Sequence, residues 1–487
     1  MHILLVNPSS SFVLRNFSEI SLPEIPINLA SIAAVLEQAG HVVRIIDLNV
    51  VSTKDEIVAQ VTEFRFDVVG FTATTPVITS CYRIMHVIKK LLPAARIVLG
   101  GWHASALPEK TLEECPDIDF VIKGEGEMTM VELVHALQHH ESFDGIKGLA
   151  YRDIHGSVVT NADRPLVKNL DDLPFPSRHL LPNDAYRRVG FTTVGGYFKK
   201  DLSITSIVTS RGCTGLCTFC ADSIIYHHTC RFRSPENVVA EIEDAIKRHG
   251  FRIFFFIDAN FTLSPKRVMR ICELIIERRL HIMWACAARV DCVDEEMLMA
   301  MKRAGCIRIS YGIESGSPRV LRLMDKRISI KQIRDAVRVT KRVGIPVYIY
   351  FVYGMPGETL HDVQLSRQLL MELDPDYMTQ SIATPFPGSE LHAFAASRGW
   401  LEGKDWARYN YPFDHVMDFP GLDAILKAQS RILLLFYLRP SFMLKTIKNL
   451  KSIYHLAFYA RAARILALYV VSNLGGTATR HHRPAHK

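Results

Sequence analysis

The segment Ser210-Arg211-Gly212-Cys213-Thr214-Gly215-Leu216-Cys217-Thr218-Phe219-Cys220 sets three thiols in the spacing CxxxCxxC. Thiolates are soft ligands, suited to zinc or to the irons of a sulfur cluster. A structural zinc ion asks for four ligands, often as two separated pairs, and Cys230 or His227 is the candidate for the fourth. A [4Fe–4S] cluster on Cys213, Cys217 and Cys220 would instead keep one iron free of protein, open to a small chelating molecule. An electron carrier with four cysteines has no such open iron. Cys81, Cys115, Cys272, Cys286 and Cys306 fall in apolar or helical contexts and read as small buried thiols of a reducing compartment.

The elements that must carry this loop alternate between strand and helix over 203–390. Strands are expected at 204–209, 252–257, 282–287, 307–311, 346–352 and 377–382. Six repeats of this kind suit a partial (β/α)6 barrel of the TIM type, with its chemistry at the carboxyl ends of the strands. Polar residues fall at those ends. Cys213 follows the first strand, Asp258 and Asn260 the second, and Arg289 the third; Glu314 and Ser315 follow the fourth, and Gly354 to Glu358 the fifth. For Glu314 the plain alternative is a carboxylate that only braces its loop.

Residues 1–150 alternate again, with strands expected at 2–6, 42–46, 67–72, 96–99 and 118–122 and helices at 27–39, 54–64, 76–92, 108–114 and 127–138. Continuous apolar strands between helices indicate a Rossmann-like parallel sheet covered on both faces, with a ligand at the carboxyl strand ends. Three loops fall there: Asn7-Pro8-Ser9-Ser10, Thr72-Ala73-Thr74-Thr75-Pro76 and Gly100-Gly101-Trp102-His103. Thr72, Thr74 and Thr75 offer hydroxyls to a ligand, or one of them caps the next helix ahead of Pro76. Residues 151–202 read as a linker, because Asp171-Asp172-Leu173-Pro174-Phe175-Pro176 suits neither a helix nor a central strand.

CxxxCxxC with an aromatic at Phe219 resembles the signature of radical S-adenosylmethionine enzymes. The similarity runs over about 203–390, through Ile257-Asp258-Ala259-Asn260-Phe261, Tyr311-Gly312-Ile313-Glu314-Ser315-Gly316-Ser317 and Tyr353-Gly354-Met355-Pro356-Gly357-Glu358-Thr359. The resemblance implies a [4Fe–4S] cluster on Cys213, Cys217 and Cys220, its open iron chelated by the amino and carboxylate groups of S-adenosylmethionine. It further implies reductive cleavage to a 5′-deoxyadenosyl radical, the cofactor carrying the hard chemistry. It assigns Asp258, Asn260, Glu314 and Ser315 to S-adenosylmethionine, although many members read Gly-Gly-Glu where this chain has Asp258-Ala259-Asn260.

Pro26-Ile27-Asn28-Leu29-Ala30, Gly70-Phe71-Thr72, Gly100-Gly101-Trp102-His103 and Gly124-Glu125-Gly126-Glu127 resemble the cobalamin-binding domain attached to many such enzymes. That likeness covers nearly all of 1–150 and assigns Thr72, Thr74, Thr75, Gly100, Gly101 and His103 to cobalamin. The Asp-x-His-x-x-Gly motif with which some cobalamin proteins replace the lower axial base does not occur in this segment. The resemblances together imply a cobalamin-dependent methyltransferase acting on an unactivated carbon of a small molecule, served by a reductant such as flavodoxin or ferredoxin. The enzyme alternative uses the same radical for oxidation, cyclisation or rearrangement without methyl transfer. The alternative from another class is an iron–sulfur electron carrier or scaffold.

The remaining residues, 391–487, are expected to form a helical basic region. From Asp423 onward the chain has no other acid but carries Lys427, Arg431, Arg439, Lys445, Lys448, Lys451, Arg461, Arg464, Arg480, Arg483 and Lys487, which sets the formal net charge at +8. Apolar runs such as 432–438 between these cations suit helices that cap the barrel or lie on an anionic membrane, the latter fitting a hydrophobic or lipid substrate. Basic and aromatic residues form no stacking platform, so nucleic acid is not expected. With 48% hydrophobic and 22% charged residues in 487, and neither a signal peptide nor a spanning apolar run, the chain reads as a multidomain cytoplasmic protein with ample buried core.

Overall fold

The computed structural model describes residues 1–8, 25–50, 54–188, 203–401, 405–409 and 415–448, with isolated positions up to 467. Ser9 and Ser10 of the first strand-end loop, and the basic residues Lys451, Arg461, Arg480, Arg483 and Lys487, lie outside the described residues.

The first domain is a seven-stranded sheet. Its parallel part comprises β1 (His2–Asn7), β2 (Val42–Asp47), β3 (Val68–Thr72), β4 (Arg96–Gly100) and β5 (Phe120–Ile122), in the order β2-β1-β3-β4-β5. Side chains that alternate along each strand split between two cores. Ile3, Leu5, Val43 and Val98 pack with Leu29, Leu36 and Leu133, from the helices Ile27–Gln38 and Glu127–His139. Leu4, Val6, Val69 and Ile97 pack on the other face, with Cys81, Met85 and Ile88 of helix Ile78–Leu91. The strand order reverses between β1 and β3, so loops diverge there and leave a crevice at the carboxyl ends.

The sheet does not stop at residue 150. β6 (Leu149–Arg152) and β7 (Val158–Thr160) add an antiparallel edge that runs from the end of the first segment into the span expected to be linker. Asp153 closes the turn between them by accepting from His155 N and Ser157 N. Beyond this hairpin the chain does connect, and it binds both neighbours. Ser177 and His179 bond Glu37 of the first domain, Asp171 accepts from Ser234 N, and Arg178 pairs with buried Glu241 of the second domain.

The second domain begins with β8 (Ile204–Ile207) and a short antiparallel pair, β9 (Ser210–Arg211) and β10 (Arg231–Phe232). Then follow β11 (Ile253–Phe256), β12 (Met283–Ala288), β13 (Cys306–Glu314), β14 (Val347–Tyr353) and β15 (Tyr377–Ile382). The six long strands are parallel in the order β15-β14-β13-β12-β11-β8, an open partial barrel whose two edges are β8 and β15. Phe256, Phe261 and Trp284 fill its core, with Phe256 stacked on Trp284 at 4.9 Å. Helix Leu422–Tyr437 inserts Ile425, Ile432 and Phe436 into the same core, so the basic region opens as a structural part of the barrel. Among the described residues no helix is long and apolar enough to cross a membrane.

Candidate functional site

The cysteine loop begins where β9 ends. Gly212 has φ +88°, and a Cβ there would lie 2.1 Å from Thr229 O, so the turn into Cys213 is closed to any other residue. The loop then crosses the barrel mouth. Thr218 N donates to Met324 O (3.0 Å), beyond β13, and Thr218 O accepts from Leu391 N (2.9 Å), beyond β15. Phe219 packs against the apolar group of Val320, Met324, Met355 and Leu391, which seats the loop from below.

A methyl group on Gly215 would stand 3.3 Å from Cys213 Sγ, 3.8 Å from Cys217 Sγ and 3.6 Å from Arg289 Nη1. Two thiols and a guanidinium therefore surround one small space, and Gly215 N donates to Cys213 Sγ at 3.3 Å. Lys326 joins them, its Nζ 2.8 Å from Glu314 Oε1. Burial raises the Cys217 thiol from its ordinary value, while Lys326 and Arg289 pull it back toward the thiolate. This donor set fits a cluster: soft ligands on a tightly held loop, an N–H aimed at sulfur, and two cations, Arg289 paired with Asp291 and Lys326 paired with Glu314, that favour the thiolate form. Among the described residues no three His, Cys, Asp or Glu side chains stand close enough to share a single ion, and Cys230 lies beside Asp258 and Ser210 and near Cys213.

The residues that the sequence groups at the strand ends divide in two. Glu314, with φ +61°, lies with Lys326 beside Cys217. Asp258, which the resemblance assigns to a ligand contact, has a carboxylate that accepts from Thr209 N (2.8 Å), Thr209 Oγ1 (2.7 Å), Ser210 N and Ser210 Oγ (2.9 Å). It builds the floor under the loop, and desolvation raises its pKa despite those bonds. Asn260 is buried and committed as well, with Oδ1 accepting from Arg289 N (3.2 Å) and Thr262 Oγ1 (3.1 Å). Ser315 is fully buried, its Oγ 3.2 Å from Ser366 Oγ and accepting from Ser317 N. Lys326 carries no motif signal in the sequence and lies twelve residues beyond its partner Glu314.

In the first domain the strand-end residues come together. His103 Nδ1 lies 3.2 Å from Thr75 Oγ1, and Asn28 Nδ2 donates to Thr72 Oγ1 at 3.3 Å. Thr74 precedes a short 3-10 turn, yet its hydroxyl makes no capping bond and is exposed. Gly101 has φ +98° and ψ −174°, and a Cβ there would lie 2.7 Å from Ala73 O and 2.9 Å from Ala73 N. The glycine is thus required by the approach of two loops. Gly100 is not, since a Cβ there would meet nothing nearer than 3.8 Å. His103 is fully buried; burial, helped by Lys110, lowers its pKa to about 4, so the ring is neutral at physiological pH. Its Nε2 finds no partner among the described residues. An orphaned buried imidazole nitrogen, a free threonine hydroxyl and a close-packed glycine loop fit a cofactor seated at the strand ends.

The two sites adjoin. Trp102, directly after the glycine loop, packs edge-on against Tyr226 at 5.9 Å, and Tyr226 belongs to the short helix Ser223–Tyr226 that closes the cysteine loop.

The comparisons agree with this geometry. The Radical SAM superfamily matches residues 207–370, and the B12 binding domain matches residues 17–134. A relative from Pyrococcus horikoshii, called an uncharacterized methyltransferase, is 35% identical over 450 residues, covering 92% of this chain and 95% of its own length. The anaerobic magnesium-protoporphyrin IX monomethyl ester cyclase of Rubrivivax gelatinosus is 28% identical over 79% of this chain and 68% of its own. The structure of the cobalamin-dependent S-adenosylmethionine radical enzyme OxsB, bound to aqua-cobalamin and S-adenosylmethionine, aligns with a TM-score of 0.72 at 20% identity, over 96% of this chain and 71% of that one. The cofactors are a [4Fe–4S] cluster, S-adenosylmethionine and cobalamin, used with an external reductant on a small molecule. The chain is an enzyme of the radical S-adenosylmethionine superfamily, one of those that carry a B12-binding domain ahead of the radical domain.

Proposed function

We propose that this enzyme transfers a methyl group to an unactivated carbon of a hydrophobic small molecule. The observation that carries the reading is the contact of Trp102 with Tyr226, which sets the glycine loop of the B12-binding domain against the helix closing the cysteine loop. When bound, the cluster with S-adenosylmethionine supplies hydrogen abstraction and cobalamin supplies the methyl group. The chain's own residues do the rest. Cys213, Cys217 and Cys220 hold the cluster, and Arg289 and Lys326 offset its thiolate charge. Glu314 and Lys326 are the groups that meet the methionine end of S-adenosylmethionine. Asp258, Asn260 and Ser315 brace the loops around it, because their polar atoms are already bonded. Thr72, Thr74, Thr75, Gly101 and His103 line the seat of cobalamin, with Gly100 as its neighbour in the loop.

The test uses S-adenosylmethionine with deuterated methyl groups and the anaerobically reconstituted enzyme. The label should appear in the product, with 5′-deoxyadenosine and S-adenosylhomocysteine formed together. The relative named as a cyclase favours a second reading, radical cyclisation or oxidation without methyl transfer. Turnover with 5′-deoxyadenosine as the sole nucleoside product selects that reading and excludes the first.

Access to such a substrate is supported by the last described helix, Pro440–Lys448. Phe442 packs on Phe436 and Tyr437, while Met443, Leu444 and Ile447 lie on the opposite face, Leu444 and Ile447 each 59% exposed. Lys448 flanks that face, and the chain has no acid after Asp423. We assign this face to the cytoplasmic surface of an anionic membrane. The protein should sediment with anionic vesicles and not with zwitterionic ones; equal recovery with both rules the assignment out.

A further inference from the structure

Glu125 and Glu127, in the Gly-Glu-Gly-Glu stretch of the first domain, reach across to the cysteine loop. Arg231 Nη2 donates to Glu125 Oε1 (2.8 Å) and Arg231 Nη1 to Glu125 Oε2 (3.0 Å), a two-pronged pair. Arg211 Nη1 donates to Glu125 Oε1 (2.9 Å), and Arg211 Nη2 to Glu127 Oε1. The connector enters the same knot: Val167 N donates to Glu125 Oε2 (2.8 Å), and Val167 O accepts from Arg231 Nη1. All four charged side chains are largely buried, at 5% and 6% exposure for the glutamates and 15% for both arginines.

The two arginines are directly opposed across the hairpin of β9 and β10, the hairpin that brackets the cysteine loop. Arg211 leads straight into Gly212 and Cys213, and Arg231 comes just after the loop and its closing helix. Arg231 also lies over the Tyr226 ring, 5.8 Å from its centroid, and Tyr226 in turn meets Trp102 beside the glycine loop. The glutamates stand at the start of helix Glu127–His139, one of the helices that cover the sheet. Two acids thus grip both ends of the cysteine loop from within the B12-binding domain. The cations are already neutralised by the glutamates, so an anionic ligand finds no free charge there.

We infer that Glu125, Glu127, Arg211 and Arg231 are positioning residues that fix the distance and orientation between the B12-binding domain and the cluster loop. Hydrogen bonds to fixed charges hold geometry tightly, and transfer between two cofactors tolerates little looseness. The inference rests on cobalamin occupying the first domain, as the proposed function requires. It adds that the two cofactor seats are locked in register by charge.

The test compares full-length wild type, Glu125→Gln/Glu127→Gln, Arg231→Met and Arg231→Lys, each reconstituted with cluster and cobalamin. Pulsed electron paramagnetic resonance between cob(II)alamin and the reduced cluster reads their separation. The double Gln and Arg231→Met variants should keep both cofactors and show a broadened distance distribution. Arg231→Lys, which keeps the charge and loses the two-pronged geometry, should fall between them and wild type. A distribution in every variant as narrow as that of wild type overturns the inference. So does loss of both cofactors with no change in separation in the molecules that retain them. Should the double variant fail to fold, the two Arg231 variants decide the matter by the same measurement. If wild type takes up no cobalamin, the methyl-transfer reading fails by itself. Hydrogen exchange at 124–131 and 207–212 in cluster-only protein then judges the lock: exchange on the order of tenfold faster in the variants supports it, and unchanged exchange overturns it.

Discussion

At Gly101 the backbone occupies a region that side chains do not enter, and the space a Cβ needs is held by the backbone of Ala73. Gly101→Ala should cost roughly 1–3 kcal/mol of stability. It should also cut the cobalamin retained after gel filtration, since it parts the two loops that meet at the strand ends. Gly100→Ala should leave both unchanged, which a melting curve and a corrin spectrum will show. For the cluster, replacing Cys213, Cys217 or Cys220 with Ala should abolish the visible charge-transfer absorption of the reconstituted protein and its cleavage of S-adenosylmethionine. The corresponding changes at Cys272 and Cys306, buried in the barrel wall, should lower stability and spare the spectrum. The three thiols were legible as a group in the sequence because, within eight residues, they constrain one another locally. Asp258 and Asn260 were legible as strand-end residues, but their duties were not, since Thr209, Ser210 and Arg289 come to them only through folding.

The loop after β14 makes a titration visible. Glu358 Oε2 accepts from Gly354 N (2.6 Å) and Met355 N (3.3 Å), while Oε1 is buried and has no partner among the described residues. Burial pushes the carboxyl up to about 7, against the two N–H bonds that favour its charged form. A folded value above the unfolded one, about 4.3, means that the folded state holds the proton more tightly. The resulting stabilisation is full below pH 4, falls as pH rises, and is lost above pH 7, a change of roughly 4 kcal/mol. Glu358→Gln should flatten that slope in melts taken from pH 5 to 8; an unchanged slope places the titration elsewhere. At this scale the long strands and helices read well, because their apolar periods run for many residues. The antiparallel pairs β6–β7 and β9–β10 did not, because they lie outside the alternation of strand and helix that marks the parallel strands.

In the whole molecule, the barrel edge at β15 is served by helix Leu422–Tyr437, whose Gln429 O accepts from Gln380 Nε2 at 3.0 Å. Ile425, Ile432 and Phe436 together contribute about 5–9 kcal/mol by burial, comparable with the net stability of a domain. A chain ending at Leu438 should stay soluble and load its cluster, while one ending at Pro420 should aggregate; expression and gel filtration distinguish them. The other edge, β8, meets the connector through Arg178, which donates to Ser206 O at 2.8 Å. Between these edges the sheet has a gap, and at the mouth that gap is spanned by the cysteine loop, through Thr218 to Leu391. The loop therefore acts as a keystone: whatever stiffens it draws the first and last strands together. The bond from Leu391 N to Thr218 O ties the barrel mouth to the same eight residues that carry the three thiols, so any change in the course of that loop is felt at both edges of the sheet.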